Sequence, residues 1–238
     1  MKKINGTLVI LTRNEIKGLT KIFDKIPRDA LSEVICIDGK STDGSIEFLK
    51  KKGIKVITQE KMGRGEAFRI VCKHAKYENL VFFSPDGNEN PVDITKLFFW
   101  LEKGYDMVIA SRFMKSSRAD DYNEFIPIRS LGNRTFTTII NILWRGKLYD
   151  SINGFRGIKK SKFNLINPDA EGFGIEFQIS MRALKLRFKI KEIPTIEGGR
   201  IGGKSTSYTF PTGIYFIKLI IKELFSRKKF LNKGKIIS

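Results

Sequence analysis

Asp86, Asn88 and Glu89 stand close together directly behind an unbroken apolar run at 80–83, Leu-Val-Phe-Phe, and behind Pro85. Such a run reads as a strand covered on both faces of a parallel sheet, and the proline ends its pairing. Ligands of open α/β sheets collect beyond the carboxyl ends of the strands, so clustered carboxylate and amide oxygens there suit a hard divalent cation and a phosphate-bearing partner. A polar turn is the plainer reading of the same loop.

The elements that must position this loop repeat upstream. Residues 7–12 form a strand ending in Thr12, followed by Arg13, Asn14 and Glu15 and a helical pattern carrying Leu19, Ile22 and Phe23. Residues 33–38 form a second strand that ends in Asp38, with Ser41, Thr42 or Asp43 placed to cap a helix of Ile46, Phe48 and Leu49. A third strand, 55–58, leads to Gly63, Arg64 and Gly65 and a helix over 67–74. Alternation of strand and helix predicts an α/β domain with a mostly parallel central sheet flanked by helices and built by right-handed crossovers. Two carboxylates, a basic glycine loop and the Asp/Asn cluster then share one sheet edge, which favours a nucleotide-diphosphate site over four unrelated turns. The Gly-Arg-Gly stretch lacks the spacing of a dinucleotide fingerprint.

Downstream, a helix at 94–101 and a strand at 105–110 lead to Ser111, Arg112 and Phe113, and 114–124 reads as a polar loop. A helix over 129–144 carries Arg129 and Arg134 in its first turns, and 150–156 is rich in turn residues. After a short helix or turn to 167–168 come a helix within 172–188, a strand at 189–193 and a basic, glycine-rich stretch from Arg200 to Thr206 suited to an anion. The last helix, 211–225, places Ile214, Ile217, Ile220, Ile221 and Leu224 on one face and Lys218 and Lys222 on another, ahead of a basic tail at 227–235. We therefore expect one domain over 1–210 and an amphipathic, membrane-surface segment over 211–238.

The 238 residues contain 44 Lys and Arg against 25 Asp and Glu, a net charge of +19 that calls for an anionic partner. Nucleic acid is one candidate, but the basic residues are scattered rather than gathered on a recognition helix or an aromatic platform. Cys36 and Cys72 lack metal-ligand spacing with the lone His74 and read as reduced core thiols of a cytosolic protein. The N-terminal stretch reads as a first strand rather than a signal peptide, and no segment reaches about 18 uncharged apolar residues.

Taken in order, these motifs resemble the family 2 glycosyltransferases, specifically the polyprenyl-phosphate, dolichyl-phosphate mannose synthase-like branch. Leu-Thr-Arg-Asn-Glu at 11–15 is similar to the family's P-x-Y-N-E opening, with Leu11 and Arg13 in place of Pro and Tyr. Residues 37–45 resemble its V-D-D-G-S-T-D-G turn with Gly39 at the second acid, and 63–68 its G-K-G-x-A loop. Residues 84–91 stand where the family has D-A-D-L-Q-H-P-P, Ser84 replacing the first acid. The stretches at 111–113, 129–134, 150–156, 174–178 and 200–206 are similar to its later motifs.

The resemblance implies a single GT-A, Rossmann-like domain and an inverting transfer of a hexose from a nucleoside-diphosphate sugar of the GDP-mannose or UDP-glucose type to a polyprenyl (dolichyl) phosphate. It implies donor contacts from Thr12, Asn14, Glu15, Asp38, Gly63, Arg64, Gly65, Pro85 and Asp86, and a Mg or Mn ion held by Ser84, Asp86 and Asn88. Asp86, Arg112, Arg129 and Arg200 are the expected catalytic residues, the three arginines gripping the acceptor phosphate, with Arg134, Arg156 and Lys204 as secondary candidates. An acceptor phosphate is already anionic near neutral pH and needs holding in line more than deprotonation. Asp150 and Glu176 are therefore expected to orient arginines. A lipid acceptor also implies peripheral attachment to the cytoplasmic face of a membrane, where a membrane protein is a further expected partner. Two other readings compete: a family 2 enzyme using Asp150 or Glu176 as base on a sugar hydroxyl, and an inactive nucleotide-sugar-binding homologue.

Overall fold

The computed structural model describes residues 3–119, 127–201, 209–226 and 229–231. Four parallel strands, β1 (Ile4–Thr12), β2 (Leu31–Asp38), β3 (Lys55–Thr58) and β4 (Asn79–Phe83), form one half of a seven-stranded sheet. They are joined by α1 (Ile16–Ile22), α2 (Ser45–Lys51) and α3 (Arg64–His74). Beyond them lie α4 (Asp93–Glu102), β5 (Met107–Ser111), α5 (Ile128–Trp144), β6 (Arg156–Lys159), α6 (Lys160–Ile166), α7 (Gly174–Lys185), β7 (Ile190–Pro194) and α8 (Thr209–Ser226). The sheet order is β3-β2-β1-β4-β6-β5-β7.

Apolar runs without alternation are what a doubly covered sheet requires. Leu8, Ile10, Val81, Phe83, Val108 and Ala110 face Leu19 of α1, Leu49 of α2 and Phe98 of α4. Their neighbours Val9, Leu11, Leu80, Phe82 and Ile109 face Phe68 of α3, Phe163 of α6, Phe177 of α7 and Phe216 of α8. Successive side chains thus serve opposite layers, and both layers are buried.

One strand departs from the sequence expectation. Residues 156–159, where the turn-rich stretch was expected to pass into a short helix or turn, form β6, antiparallel to both β4 and β5. Its four residues show no alternation, because Arg156 is fully buried and Gly157 lies against Leu101 and Val81. The Arg156 guanidinium donates to the carbonyls of Ser151, Asn153 and Glu176 and to Ser180 Oγ. This arginine ties the sheet to α7 and does not face an acceptor phosphate; burial holds its pKa down at about 10.

The last helix packs into the same core. Phe216, Leu219 and Ile220 are buried against α7, and the buried Glu223 accepts from Arg182 Nε (2.9 Å), Lys185 Nζ (2.7 Å) and Gln178 Nε2 (2.9 Å). Ile220 therefore leaves the face expected of it, because it shares a stripe with Phe216 and Glu223 rather than with Ile217. Ile214, Ile217, Ile221, Leu224 and Phe225 remain exposed, Phe225 at 80%. Lys204 and most of the tail lie outside the described residues.

Candidate active site

Two cavities meet at the carboxyl ends of β1, β2, β3 and β4. The larger, about 510 Å³, is lined by residues that include Thr12, Asn14, Glu15, Gly63, Arg64 and Asp86. The smaller, about 290 Å³, is bounded by Asn88, Arg112, Arg129, Asn133, Glu197 and, from α8, Thr212 and Phe216. Arg64, Ser84, Asp86, Phe173 and Arg200 belong to both, so the loop after β4 sits at their junction.

The loops after β1 and β2 are stitched into one wall. Asn14 takes the left-handed conformation (φ 57°) that Asn tolerates better than most residues. Its N–H donates to Ser41 Oγ (2.9 Å), and its Oδ1 accepts from the Thr42 N–H (2.8 Å). Ser45 and Asp43 accept the N–H groups of Glu15 and Ile16 at the open start of α1. Asp38 organises this wall from inside: fully buried, it accepts from Thr12 Oγ1 (2.8 Å), Ser41 Oγ (2.5 Å) and the Ser41 N–H (2.8 Å).

Asp38, Gly65 and Pro85, expected to touch the donor, thus stand behind the cavity wall. Asp38 is consumed by the loop it braces. Gly65 is where α3 meets the 170–171 backbone, a Cβ there falling 2.3 Å from the Ala170 carbonyl oxygen. Pro85 is buried, its own carbonyl oxygen only 1.9 Å from where a Cβ on Gly18 of α1 would lie. These three shape the site rather than line it.

The 84–89 loop brings hard oxygens together. Asp86 Oδ1 accepts from the Asn88 N–H (3.0 Å) and its Oδ2 from Arg200 Nη1 (2.8 Å). Asn88 Oδ1 is buried without a hydrogen-bond partner, an unmet acceptor of the kind a hard cation satisfies. Ser84, Asp86 and Asn88 line the smaller cavity together. No group of three His, Cys, Asp or Glu suited to a metal occurs among the described residues. The oxygens present nevertheless fit Mg or Mn, which keeps several waters and takes the rest of its shell from phosphate.

Cations and carboxylates alternate around this loop. Arg200 also bonds Glu15 Oε1 (2.5 Å), while Glu15 Oε2 is buried without a partner. Burial, opposed by Arg200, raises Glu15 to about pKa 7. Glu89 accepts from the Ser84 N–H (2.7 Å), and burial followed by the nearby Asp86 lifts its pKa well above the carboxylate range. Arg64 pairs through Nε with Glu176 and reaches Ser84 Oγ at 3.5 Å, so a fixed cation stands beside the serine that replaces an acid.

Arg112 is held in a buried two-pronged pair with Asp150, Nε to Oδ2 at 2.7 Å and Nη2 to Oδ1 at 3.0 Å. Burial alone would raise the Asp150 pKa, but Arg112 and the surrounding N–H groups hold it below the usual range. Arg112 therefore reaches the cavity wall as half of an ion pair. Arg129, at the start of α5, lines the same cavity, and Arg134 lies over the Phe113 ring at 4.8 Å. Sequence reading passed over Gln59, Phe173, Asn133 and Glu197. Asn133 lies within the 129–134 stretch and Phe173 directly before the 174–178 one, whereas nothing local marks Gln59 or Glu197.

A wall of backbone and oxygen ligands over parallel strand ends, with guanidinium groups around it, can hold a diphosphate and a second anion side by side. Comparison with known proteins places that chemistry. The pattern of the family described as Glycosyl transferase family 2 matches residues 7–166. Glycosyltransferase AglJ of Haloferax volcanii is 28% identical over 213 residues, 87% of this chain and 68% of that one. The Dolichyl-phosphate hexose transferase of the same organism is 26% identical over 218 residues, covering 90% and 92%. The fold matches glucosyl-3-phosphoglycerate synthase from Mycobacterium tuberculosis, solved with Mn2+, UDP and glucosyl-3-phosphoglycerate. There the TM-score is 0.71 at 17% identity, over 97% of this chain and 82% of that one. With its GT-A fold and this match over most of its length, the chain belongs to the family 2 glycosyltransferases and is a sugar-transferring enzyme.

Proposed function

We propose that this enzyme transfers a hexose, with inversion, from a nucleoside-diphosphate sugar to a polyprenyl phosphate at a membrane surface. The observation that carries the reading is the second cavity: joined to the donor cavity through Asp86 and Arg200, it is edged by arginines and walled by α5 and α8. Both helices turn apolar side chains outward, Ile142 of α5 at 74% exposure among them. An amphipathic surface of this kind lies in the interfacial layer of a bilayer, which is where the phosphate of a polyprenol is found. Among the described residues no helix is long and apolar enough to cross a membrane, and the outward apolar surface of α5 and α8 is the attachment proposed here. We place it on the cytoplasmic face, where nucleotide sugars are available, and leave room there for a membrane-protein partner.

In this reading the donor diphosphate lies along Gly63 and Arg64, and Arg129 and Arg200 hold the acceptor phosphate in line with the anomeric carbon. An acceptor oxygen attacks that carbon from the face opposite the diphosphate, the bond to the diphosphate oxygen breaks, and its electron pair leaves with the nucleotide. Ser84, Asp86 and Asn88 would hold a divalent ion, which when bound neutralises charge on the diphosphate. No base is required. Asp150, the obvious candidate, has both oxygens engaged by Arg112 and by the N–H groups of Ile152 and Asn153.

The test is transfer of labelled hexose from a panel of GDP- and UDP-sugars into organic-extractable lipid with added polyprenyl phosphate, with and without Mg or Mn. Label in the lipid phase, lost in Asp86→Ala, is the expected result. Label appearing only in water-soluble glycan would overturn the acceptor assignment, and nucleotide binding without turnover would leave a binding-only homologue.

A further inference from the structure

Glu192 of β7 lines neither cavity, yet its carboxylate holds one wall of the smaller one. Oε2 accepts the Tyr149 N–H (2.8 Å) and Oε1 the Asp150 N–H (2.8 Å), across 43 and 42 residues of sequence. Two adjacent backbone donors need two acceptors, which a carboxylate offers on separate oxygens and an amide does not. The stretch that begins at these donors runs straight into the cavity, where Ile152, Asn153 and Gly154 form part of the lining.

Asp150 passes the constraint on. Its oxygens take Arg112 Nε (2.7 Å) and Nη2 (3.0 Å) together with the N–H groups of Ile152 and Asn153 (both 3.1 Å), which joins the arginine to the turn. The other end is tied as well, Asn153 Nδ2 donating to the Ala110 carbonyl (2.6 Å) in β5. β7 pairs with β5 with Glu192 opposite Ile109, so both anchors stand on neighbouring strands of one sheet. Sheet geometry thereby sets where the Arg112 guanidinium meets the cavity. The arrangement has a cost: burial, opposed by the two N–H groups and reinforced by Asp150, raises Glu192 to about pKa 7. A neutral side chain would satisfy one of the donors without setting a second carboxylate behind the first.

We propose that Glu192 is a positioning residue for the acceptor: it sets the 149–154 turn and, through Asp150, the angle at which Arg112 faces the acceptor phosphate. The proposal rests on the phosphate-acceptor reading above. Arg112 lines the same cavity as Arg129 and Arg200, and a guanidinium turned out of line loses the directional hydrogen bonds that hold a phosphate oxygen for attack. Glu192 itself touches neither substrate.

The test is steady-state transfer into polyprenyl phosphate at pH 8, where Glu192 is mostly ionised, with KM measured separately for donor and acceptor. Wild type, Glu192→Gln, Asp150→Asn and the double variant are compared. Glu192→Gln keeps the size of the side chain but offers one acceptor to two donors, and should raise acceptor KM about tenfold while donor KM stays within about twofold. A residue that only supported the fold would instead lower the amount of active enzyme, scaling the maximal rate and leaving both KM values alone. Because Glu192 acts through Asp150, the double variant should have the acceptor KM of the worse single variant. An unchanged acceptor KM in Glu192→Gln, or single effects that multiply in the double variant, overturns the proposal. If wild-type transfer shows no saturation with polyprenyl phosphate, the acceptor reading falls and this inference with it, whereas saturation that Glu192→Gln leaves untouched removes the inference alone.

Discussion

Replacing Asp150 by alanine should strongly destabilise this protein, and the structure gives the size of the loss. Asp150 is fully buried and accepts five N–H donors: Arg112 N (3.2 Å), Nε (2.7 Å) and Nη2 (3.0 Å), Ile152 N (3.1 Å) and Asn153 N (3.1 Å). Truncation takes the two-pronged partner away from a guanidinium only 8% exposed, with Glu197 3.8 Å away. Breaking a buried pair in this way costs about 3–5 kcal/mol. At roughly 2–4 °C per kcal/mol for a chain of this size, Tm should fall by about 6–20 °C, read by far-UV circular dichroism at pH 7.5. Asp150→Asn keeps an acceptor and should fall between wild type and Asp150→Ala. Because the folded pKa of Asp150 is depressed, its contribution is fully present above the unfolded value near 3.9 and is lost as pH falls through the lower folded one. The gap between wild type and Asp150→Asn should thus hold from about pH 5 to 8 and close below about pH 4. An Asp150→Ala variant melting within about 2 °C of wild type would refute the reasoning. An Asp150→Asn variant of wild-type stability with no transfer at all would make Asp150 a base rather than a brace.

Two further perturbations probe the loop after β4 from either side. Burial raises Glu15 to about pKa 7, so the fold favours its protonated form, and wild-type stability should decline as pH rises from about 4 toward 7. Glu15→Gln removes that decline: relative to wild type it should melt higher at pH 7.5 than at pH 5, and equal offsets at the two pH values would count against the burial argument. Gly18→Ala drives a methyl group into the Pro85 carbonyl oxygen, 1.9 Å away with no flexible partner to yield. We expect a loss of about 1–3 kcal/mol in urea unfolding, as for other overpacked sites, together with weaker Mn2+ binding as the 84–89 loop shifts. Unchanged Mn2+ affinity in a destabilised Gly18→Ala protein would separate the packing of this loop from its ligand geometry.

The sequence by itself determined the strands and helices whose patterns are local. The run at 80–83, the polar residues after β1, β2 and β3, and the apolar stripe of the last helix all follow from side-chain period and turn chemistry, and they placed Asn14, Glu15, Arg64 and Asp86 on one edge. Motif spacing carried the family, because glycines and carboxylates at strand ends are read one loop at a time. Tertiary structure decided what those residues touch. Asp38, Gly65 and Pro85 look like ligand contacts in sequence, yet the fold spends them on bracing, since a buried carboxylate must be satisfied and closely packed backbone leaves no room for a Cβ. Arg156, with every donor nitrogen facing the interior, could not be told from a phosphate-binding arginine until β6 was seen to run between β4 and β5. Arg112 met Asp150, and Arg200 met Asp86 and Glu15, across sequence separations of 38 to 185 residues. Such long-range pairs are set by how crossovers stack strand ends, and no local period records that.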